Sequence, residues 1–230
     1  MRKSSRMLVY AACVGLSLFF LFPIFWIILS SFKSGSELFR FPPTLFPEAP
    51  TIDNFVMALK KGNFALFFKN STVVAILSTI VTVIINTMAG YAFAKYQFKG
   101  RDIIFIFFIS TLMLPLEVLM IPIFQVVKFL GMYNTFLGII IPPAATPAGV
   151  FLLRQYFLSV PDDLIEAARI DGASEAGIFI RLMLPIAKPA MSVLAIFSFM
   201  WRWNDFMWPL IVNTSMEKMT LGPALSTLQG

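Results

Sequence analysis

The sequence predicts an all-α membrane protein, built as a polytopic bundle of transmembrane helices. Of its 230 residues, 58% are apolar and only 13% are charged, whereas soluble domains carry roughly a quarter charged residues. The uncharged stretches 7–32, 70–94 and 129–153 each exceed the roughly 20 residues that a helix needs to cross the hydrocarbon core. They are continuously apolar, which argues against the alternating strands of a membrane barrel.

Five spans are predicted within one transmembrane domain over residues 1–230. The first is predicted to be a retained helix, because it is longer than the apolar region of a signal peptide and ends in bulky residues. Glu117 is expected at the outer end of the third span. Prolines in the third and fourth spans indicate kinked or broken helices, which transporters use at cavities and hinges. The spans are placed at about 8–30, 71–94, 103–122, 135–153 and 188–212, and these prolines are Pro115, Pro122, Pro142, Pro143 and Pro147.

The basic residues predict the orientation of the chain. The short loop 95–102 contains Lys95, Lys99 and Arg101, and short loops rich in Lys and Arg face the cytoplasm. The N-terminus and the long loop 154–187 are then also cytoplasmic, whereas 31–70 and 123–134 face outward.

The composition excludes several kinds of active site. The chain has no histidine, which Ser-His-Asp hydrolases, zinc deaminases and zincin proteases all require. Its single cysteine, Cys13, cannot form an internal disulfide or a multi-cysteine metal site. The 18 Lys and Arg residues fall in short clusters between apolar stretches, a pattern of membrane proteins that offers no basic face for nucleic acid. No cofactor, metal or nucleic acid is therefore expected on this chain.

The cytoplasmic loop is predicted to fold as two short helices. Ser159 is expected to cap the first helix together with Asp162, and Gly172 is expected to end it in a left-handed conformation. Ser174 is expected to cap the second helix, which would run to about Leu182 before prolines begin the last span. A solvated connector is one interpretation of this loop, and a docking face formed by its small residues is the other.

The loop resembles the EAA loop of ABC-importer permeases. The residues that carry the resemblance are Glu166-Ala167-Ala168, Gly172 and Leu182-Met183-Leu184-Pro185. Position 182 is Leu where that family often has Ile. The segments Phe151–Gln155, Ala168–Glu175 and Trp203–Leu210 are most similar to the maltose-type carbohydrate permeases, so the resemblance covers nearly the whole chain.

The resemblance implies a type I ABC-importer permease in a bacterial or archaeal cell (inner) membrane. Its partners would be a second homologous permease subunit, two cytoplasmic ATPase subunits and an extracytoplasmic solute-binding protein. The chain lacks a Gly-x-x-x-x-Gly-Lys-Ser/Thr phosphate loop, so ATP and Mg²⁺ would bind the ATPase and this chain would not be an enzyme. The residues implied to couple it to that ATPase are Glu166, Ala167, Ala168, Gly172, Leu182 and Pro185. A family member of this kind has six spans, so a sixth is expected to be missing after Gly230, with a natural five-span form as the alternative.

The last predicted span carries two charged residues, Arg202 and Asp205. Charges inside a membrane are costly, and they usually form pairs that face the bundle interior or water. Two roles stay open for this pair, an internal structural role and a lining of the sugar pathway. Trp203 could stack on a sugar ring or anchor the helix, and Asn204 could bind sugar hydroxyls or a neighbouring helix.

The predicted function is the import of a sugar or oligosaccharide. The alternative within the same machinery is a permease for a non-sugar solute such as a polyamine, a phosphorylated polyol or a peptide. A membrane enzyme would need ionisable groups converging at one depth, and only the Arg202 and Asp205 pair qualifies. A channel or structural membrane protein would leave the folded loop unexplained.

Overall fold

The computed structural model describes residues 3–61 and 63–228, and every regular element in those ranges is helical. The contacts divide the chain into two compact units, one up to Phe64 and one from Ala65 onward. The all-α fold class is therefore confirmed for the described part of the chain.

The first unit contains α1 (Lys3–Ser31), α2 (Gly35–Leu38) and α3 (Asp53–Lys61). The apolar stretch Val9–Ser31 of α1 has no buried residue, as expected for a helix whose whole surface contacts lipid or another subunit. The segment after α1 is held by polar contacts. Buried Lys33 donates to the Thr44 carbonyl, and the Glu37 carboxylate accepts from Thr44 Oγ1 and the Glu48 amide at 2.9 Å.

The second unit is built around α4 (Phe64–Lys95) and contains the remaining helices. These are α5 (Arg101–Ser110), α6 (Leu116–Phe129), α7 (Phe136–Ile140), α8 (Pro147–Leu158), α9 (Asp163–Ile170), α10 (Glu175–Gly177), α11 (Leu184–Trp203), α12 (Met207–Val212) and α13 (Leu221–Leu228). A π-helical segment, Ile178–Met183, joins α10 to α11, so that Glu175–Trp203 is one unbroken helix.

Three of the five predicted spans differ from single straight helices. Within the described residues, Val9–Ser31, Phe64–Lys95 and Glu175–Trp203 are long and apolar enough to cross a membrane. The third predicted span, 103–122, is bent by 113° between its two helical halves. The fourth, 135–153, is interrupted between α7 and α8, and the fifth, 188–212, is interrupted between Trp203 and α12.

Proline chemistry explains the breaks in the third and fourth spans. A proline lacks an N–H donor and disfavours helical geometry in the preceding residue. Leu114, before Pro115, has an extended backbone with φ −89° and ψ 123°. Thr146, before Pro147, is also extended, with φ −102° and ψ 127°. The breaks that the prolines predicted are thus present in the structure.

One of the buried polar residues on α4, Asn86, positions the break between α7 and α8. Ser78, Thr82 and Asn86 are each 0–1% exposed. The Asn86 side chain donates to the Ala144 carbonyl at 2.8 Å and accepts from the Thr146 amide at 3.0 Å. Backbone groups that the interruption leaves without helical hydrogen bonds therefore find partners inside the protein, as a broken helix in a membrane requires.

The segment after α12 is folded rather than a simple polar tail. The Asn70 side chain, on α4, donates to the carbonyls of Glu217 and Met219 at 2.9 and 3.0 Å, and Ser71 Oγ accepts from the Leu221 amide at 2.7 Å. These contacts fix the start of α13 against α4.

Candidate functional site

The first helix of the loop, α9, is held to the core by Ile165, with half-buried Ala168 packed against the same cluster. Ile165 is 4% exposed and packs in a cluster with Phe157 and Tyr91. The predicted cap by Ser159 is wrong, because the Ser159 hydroxyl donates backward to the Tyr156 carbonyl at 2.7 Å. The capping position is occupied by Asp162, whose side chain makes no capping hydrogen bond.

The turn after α9 has the predicted glycine geometry. Gly172 has φ +80°, its amide donates to the Arg169 carbonyl, and the Ala173 amide donates to the Ala168 carbonyl, both at 3.0 Å. These two bonds form a Schellman motif, in which a left-handed residue closes the end of a helix. The structure therefore confirms this predicted conformation.

The surface of α9 that faces away from the core is formed by acidic, small and apolar residues. Glu166 and Ala167 are exposed, and Ala168 is half-buried. Ile170 is 86% exposed, and Leu164 is 44% exposed. The sequence analysis missed these two apolar residues, although an isoleucine directly before an Asp-Gly turn was a visible signal.

The second half of the loop differs from the predicted short helix. Ser174 accepts from the Gly177 amide at 3.2 Å and so caps α10 as predicted. The helix then continues through Leu182, which is half-buried, and Pro185, which is exposed. It has no break at Pro185, because the Leu184 amide bonds to the Phe179 carbonyl. That wider turn shifts the hydrogen-bond ladder by one residue just before the proline, where a regular helix would clash.

An open cleft of about 680 Å³ lies between α9 and the start of this long helix. Its lining includes three of the predicted site residues, Ala168, Gly172 and Leu182, together with other small residues of the turn. The cleft and the exposed face of α9 together form the candidate docking surface of the loop, which we call the loop face.

A three-residue polar cluster holds the loop against the end of α4. The Glu175 carboxylate accepts from Arg169 Nε at 2.6 Å and from the Tyr96 hydroxyl at 2.9 Å. Burial and this hydrogen bond to Glu175 raise the pKa of Tyr96 to about 12. Sequence reasoning missed the cluster, because Tyr96 and Glu175 are far apart in the chain and share no local pattern.

A second contact holds the beginning of the loop. The Lys95 ammonium donates to the Val160 carbonyl at 2.6 Å and pairs with Asp162 at 2.5 Å. The Lys95 side chain is only 5% exposed. Since Lys95 is the last residue of α4, both ends of the loop are fastened to the same helix terminus.

The charged residues of the last predicted span lie where α11 ends. Arg202 Nη1 is 3.7 Å from Asp205 Oδ2, and Arg202 Nη2 donates to the Pro143 carbonyl at 3.0 Å. Asp205 Oδ1 accepts from the Trp208 amide at 3.3 Å, at the first turn of α12. The pair therefore bridges the helix break and does not lie along one continuous helix face.

The residues beside this pair have different surroundings. Trp203 stacks on Phe199 with ring centroids 5.8 Å apart and meets the Phe68 ring edge-on at 5.4 Å. Asn204 is exposed, and its side chain donates to the Met200 carbonyl at 2.7 Å. The structure thus brings all four predicted residues to one break. Arg202, Trp203 and Asp205 make internal contacts, whereas Asn204 is exposed.

The comparison with protein families decides the identity of the fold. Residues 85–228 match the family described as the binding-protein-dependent transport system inner membrane component. The chain belongs to this permease family. The match includes the loop face, the fastening contacts of Lys95 and Tyr96, and the break at Trp203.

Two relatives of this permease illustrate the range of the family. The arabinooligosaccharides transport system permease protein of Bacillus subtilis is 40% identical over 236 residues, covering 99% of this chain and 84% of the relative. The sn-glycerol-3-phosphate transport system permease protein of Salmonella typhi is 31% identical over 216 residues, covering 91% of this chain and 76% of the relative.

A solved structure supports the same assignment for this permease. The crystal structure of a bacterial ABC transporter involved in the import of the acidic polysaccharide alginate contains a chain that matches with a TM-score of 0.84 and 26% identity. The match covers 100% of this chain and 81% of the other. The predicted ABC-importer permease fold is therefore confirmed, and the chain is a multi-pass membrane component.

Proposed function

We propose that this permease imports a sugar or oligosaccharide, and that its loop 154–187 couples the transmembrane helices to a cytoplasmic ATPase. The observation that carries the proposal is the construction of the loop face. Glu166, Ala167 and Ile170 are solvent-exposed, while Ile165, Lys95 and Glu175 fasten the same loop to the membrane helices. A loop fastened in this way would move together with the membrane helices, so a displacement of the loop by the ATPase would also displace those helices.

The chemistry of the loop face suits a protein groove. Exposed Ile170 and Leu164 supply apolar area, and Ala167 and Ala168 allow a partner's backbone to approach closely. Glu166 places a negative charge beside them that would meet a basic residue. A docking patch with apolar residues at its centre and charges at its edge is the usual composition of a specific interface.

The proposed machine contains partners that bind ATP and solute. A second homologous permease subunit would complete the pathway, and an extracytoplasmic solute-binding protein would deliver the solute. Two ATPase subunits would hold ATP and Mg²⁺, because this chain has no phosphate-loop sequence. The proposed orientation places the N-terminus and the loop face in the cytoplasm, following the basic residues near 95–102.

The break after α11 is the proposed part of the pathway on this subunit. Backbone that leaves helical geometry at membrane depth is tolerated only inside protein or beside a water-filled cavity. Asn204 is exposed there, and Trp203 supplies an aromatic face. These are groups that can bind the hydroxyls and the apolar face of a sugar ring. Arg202 and Asp205 would line the same region. Their hydrogen bonds to the Pro143 carbonyl and from the Trp208 amide also fix the backbone there.

The arabinooligosaccharide and alginate relatives favour a carbohydrate as the solute. A phosphorylated polyol is the second candidate, because the sn-glycerol-3-phosphate permease also matches most of the chain. The chemical difference between the two candidates is a charged phosphate.

The test is solute-stimulated ATP hydrolysis by the assembled complex with its solute-binding protein. We expect stimulation by an oligosaccharide and none by sn-glycerol-3-phosphate. Stimulation by the phosphorylated polyol alone would replace the sugar assignment. Failure of any ATPase subunit to co-purify with the chain would contradict the coupling proposal itself.

A further inference from the structure

The short helix α3 carries an apolar face that no described residue covers completely. Ile52, Phe55, Val56 and Leu59 have the i, i+3, i+4, i+7 spacing that places side chains on one side of a helix. They are 63%, 45%, 36% and 64% exposed. Asp53 and Lys60 flank this face on one side, Asp53 lying about 120° around the helix from Leu59, so apolar and charged side chains occupy different sides of α3.

The start of α3 is fixed to the end of the spanning helix α1. The Asn54 side chain donates to the Ser31 carbonyl at 2.9 Å and to the Lys33 carbonyl at 2.8 Å. The Thr51 amide donates to the Phe32 carbonyl at 2.9 Å, and the Phe32 and Phe55 rings lie 5.5 Å apart. Asn54 therefore satisfies two carbonyls at the terminus of α1 and holds α3 at that level.

The end of α1 has the composition of a membrane boundary. Trp26 lies near the end of α1, with the Lys33 ammonium 4.8 Å from the centroid of its ring, and Trp is enriched at the level of the headgroups. Below this level the surface of α1 is apolar and exposed. The exposed face of α3 is thus attached at the depth where the hydrocarbon ends.

We propose that α3 lies in the headgroup region of the bilayer, with Ile52, Phe55, Val56 and Leu59 directed into the lipid. An amphipathic helix with a basic residue beside its apolar face binds such an interface in this orientation. The occupant of the face is lipid, because the face is joined through Asn54 and Phe32 to the end of α1, whose apolar stretch is long enough to cross a membrane and has no buried residue. None of these four residues belongs to the loop face or to the break at Trp203.

The test uses the full chain in its complex, reconstituted in phosphatidylcholine and phosphatidylglycerol nanodiscs with nitroxide-labelled lipid. The single cysteine is first removed by Cys13→Ser. Leu59→Cys and, as the matched control on the polar flank of the helix, Asp53→Cys are each labelled with a polarity-sensitive fluorophore. Ile52→Cys is a second probe of the apolar face if Leu59→Cys does not assemble. Lipid contact is read without any transport assay, so this result and the transport assignment can fail separately.

We expect the nitroxide lipid to quench the label at position 59 at least about twofold more than the label at position 53. The reason is that an interfacial helix buries its apolar face roughly 5–10 Å into the boundary between headgroups and acyl chains. Equal quenching at the two positions would overturn the proposal. So would a label at 59 that lipid does not quench but that becomes shielded when the solute-binding protein is added, since that protein would then be the occupant.

Discussion

Arg202, at the end of α11, donates a hydrogen bond to the Pro143 carbonyl, in the break between α7 and α8, at 3.0 Å. Two interrupted helices therefore meet through one guanidinium. A proline within a helix leaves carbonyls without intrahelical donors, and Arg202 supplies one from another span. This contact makes Arg202 part of the scaffold as well as a candidate pathway residue.

The Arg202 and Asp205 pair can be tested by a double-mutant cycle. Arg202→Met leaves the Asp205 carboxylate enclosed without its partner, which costs about 3–5 kcal/mol for a buried pair. We expect a marked fall in the thermal unfolding temperature of the purified protein. The double variant Arg202→Met/Asp205→Asn removes both charges and should recover the part of the loss that comes from the unpaired carboxylate, while the loss of the Arg202 hydrogen bond to the Pro143 carbonyl remains.

Uptake by the double variant separates the two roles of the pair. A purely structural pair predicts that uptake returns together with stability. A pathway role predicts that stability returns while uptake stays low. Recovery of neither in the double variant would contradict the interpretation that the two charges compensate each other.

The hydrogen bonds of Asn86 to Ala144 and Thr146, which we call the Asn86 clamp, predict a loss of stability on mutation, in the same helix break that Arg202 reaches through Pro143. Asn86→Leu leaves the Ala144 carbonyl and the Thr146 amide without their side-chain partner, at about 1–3 kcal/mol for each unsatisfied group. Ser78→Ala is the matched control on the same helix, because Ser78 Oγ has no partner among the described residues. Thermal unfolding of both variants measures the difference, and equal stability of the two would contradict the clamp.

The turn at Gly172 predicts a defect that depends on backbone conformation. A Cβ atom added there would meet no neighbouring atom within 4 Å, so the expected cost of Gly172→Val comes from the positive φ, about 1–2 kcal/mol. We expect Gly172→Val to insert normally and to lose ATPase co-purification and uptake, because the loop face shifts. Gly172→Asn should retain more of both, since asparagine tolerates this conformation better. Full activity of the valine variant would remove the turn from the coupling mechanism.

Glu166 predicts an effect of charge without a change in fold. Its side chain is exposed, so Glu166→Lys should leave the stability of the purified chain unchanged while reducing ATPase binding through repulsion. Glu166→Gln removes the charge without reversing it, and we expect a smaller loss. Measurements at matched membrane abundance compare co-purified ATPase across the series. Unchanged binding in both variants would mean that the carboxylate does not meet a basic partner.

Tyr96 predicts a pH dependence of the loop attachment. Its raised pKa, about 12, means that the folded state favours the neutral phenol over the phenolate. The stabilisation is present below the ordinary pKa near 10 and is lost as the pH rises from there through about 12. Glu175→Gln removes one cause of the shift and should move the pKa of Tyr96 downward.

Tyrosinate absorbance measures this titration, with Tyr96→Phe identifying which of the transitions belongs to Tyr96. A Tyr96 pKa that does not change in Glu175→Gln would show that burial and the neighbouring Tyr91, and not Glu175, raise it. The hydrogen bond would then contribute nothing to holding the loop.

Local patterns in the sequence predicted those parts of the site that depend on neighbouring residues. Gly172 and Ser174 have the expected conformations because capping and turn chemistry act over three or four residues. The prolines before α6 and α8 likewise marked real breaks. These effects need no knowledge of the tertiary structure.

Contacts between distant segments were not predictable in this way. Tyr96 meets Glu175, and Arg202 meets Pro143, only after the spans have packed together. The sequence also did not predict that Glu175–Trp203 forms one unbroken helix. Pro185 is normally a sign of a helix start, and here a π-helical turn accommodates it inside the helix.

For the proposed importer, that unbroken helix would act as a lever. Its 29 residues extend about 44 Å at 1.5 Å per residue, with Glu175 at one end and Trp203 at the other. A tilt of about 5° around the middle of such a rod would carry each end about 2 Å, in opposite directions. If solute binding near Trp203 changes the affinity of the ATPase for nucleotide, then nucleotide binding changes the affinity for the solute by the same free energy. The helix Glu175–Trp203 would then carry the coupling in both directions, from solute binding to the ATPase and from nucleotide binding to solute release.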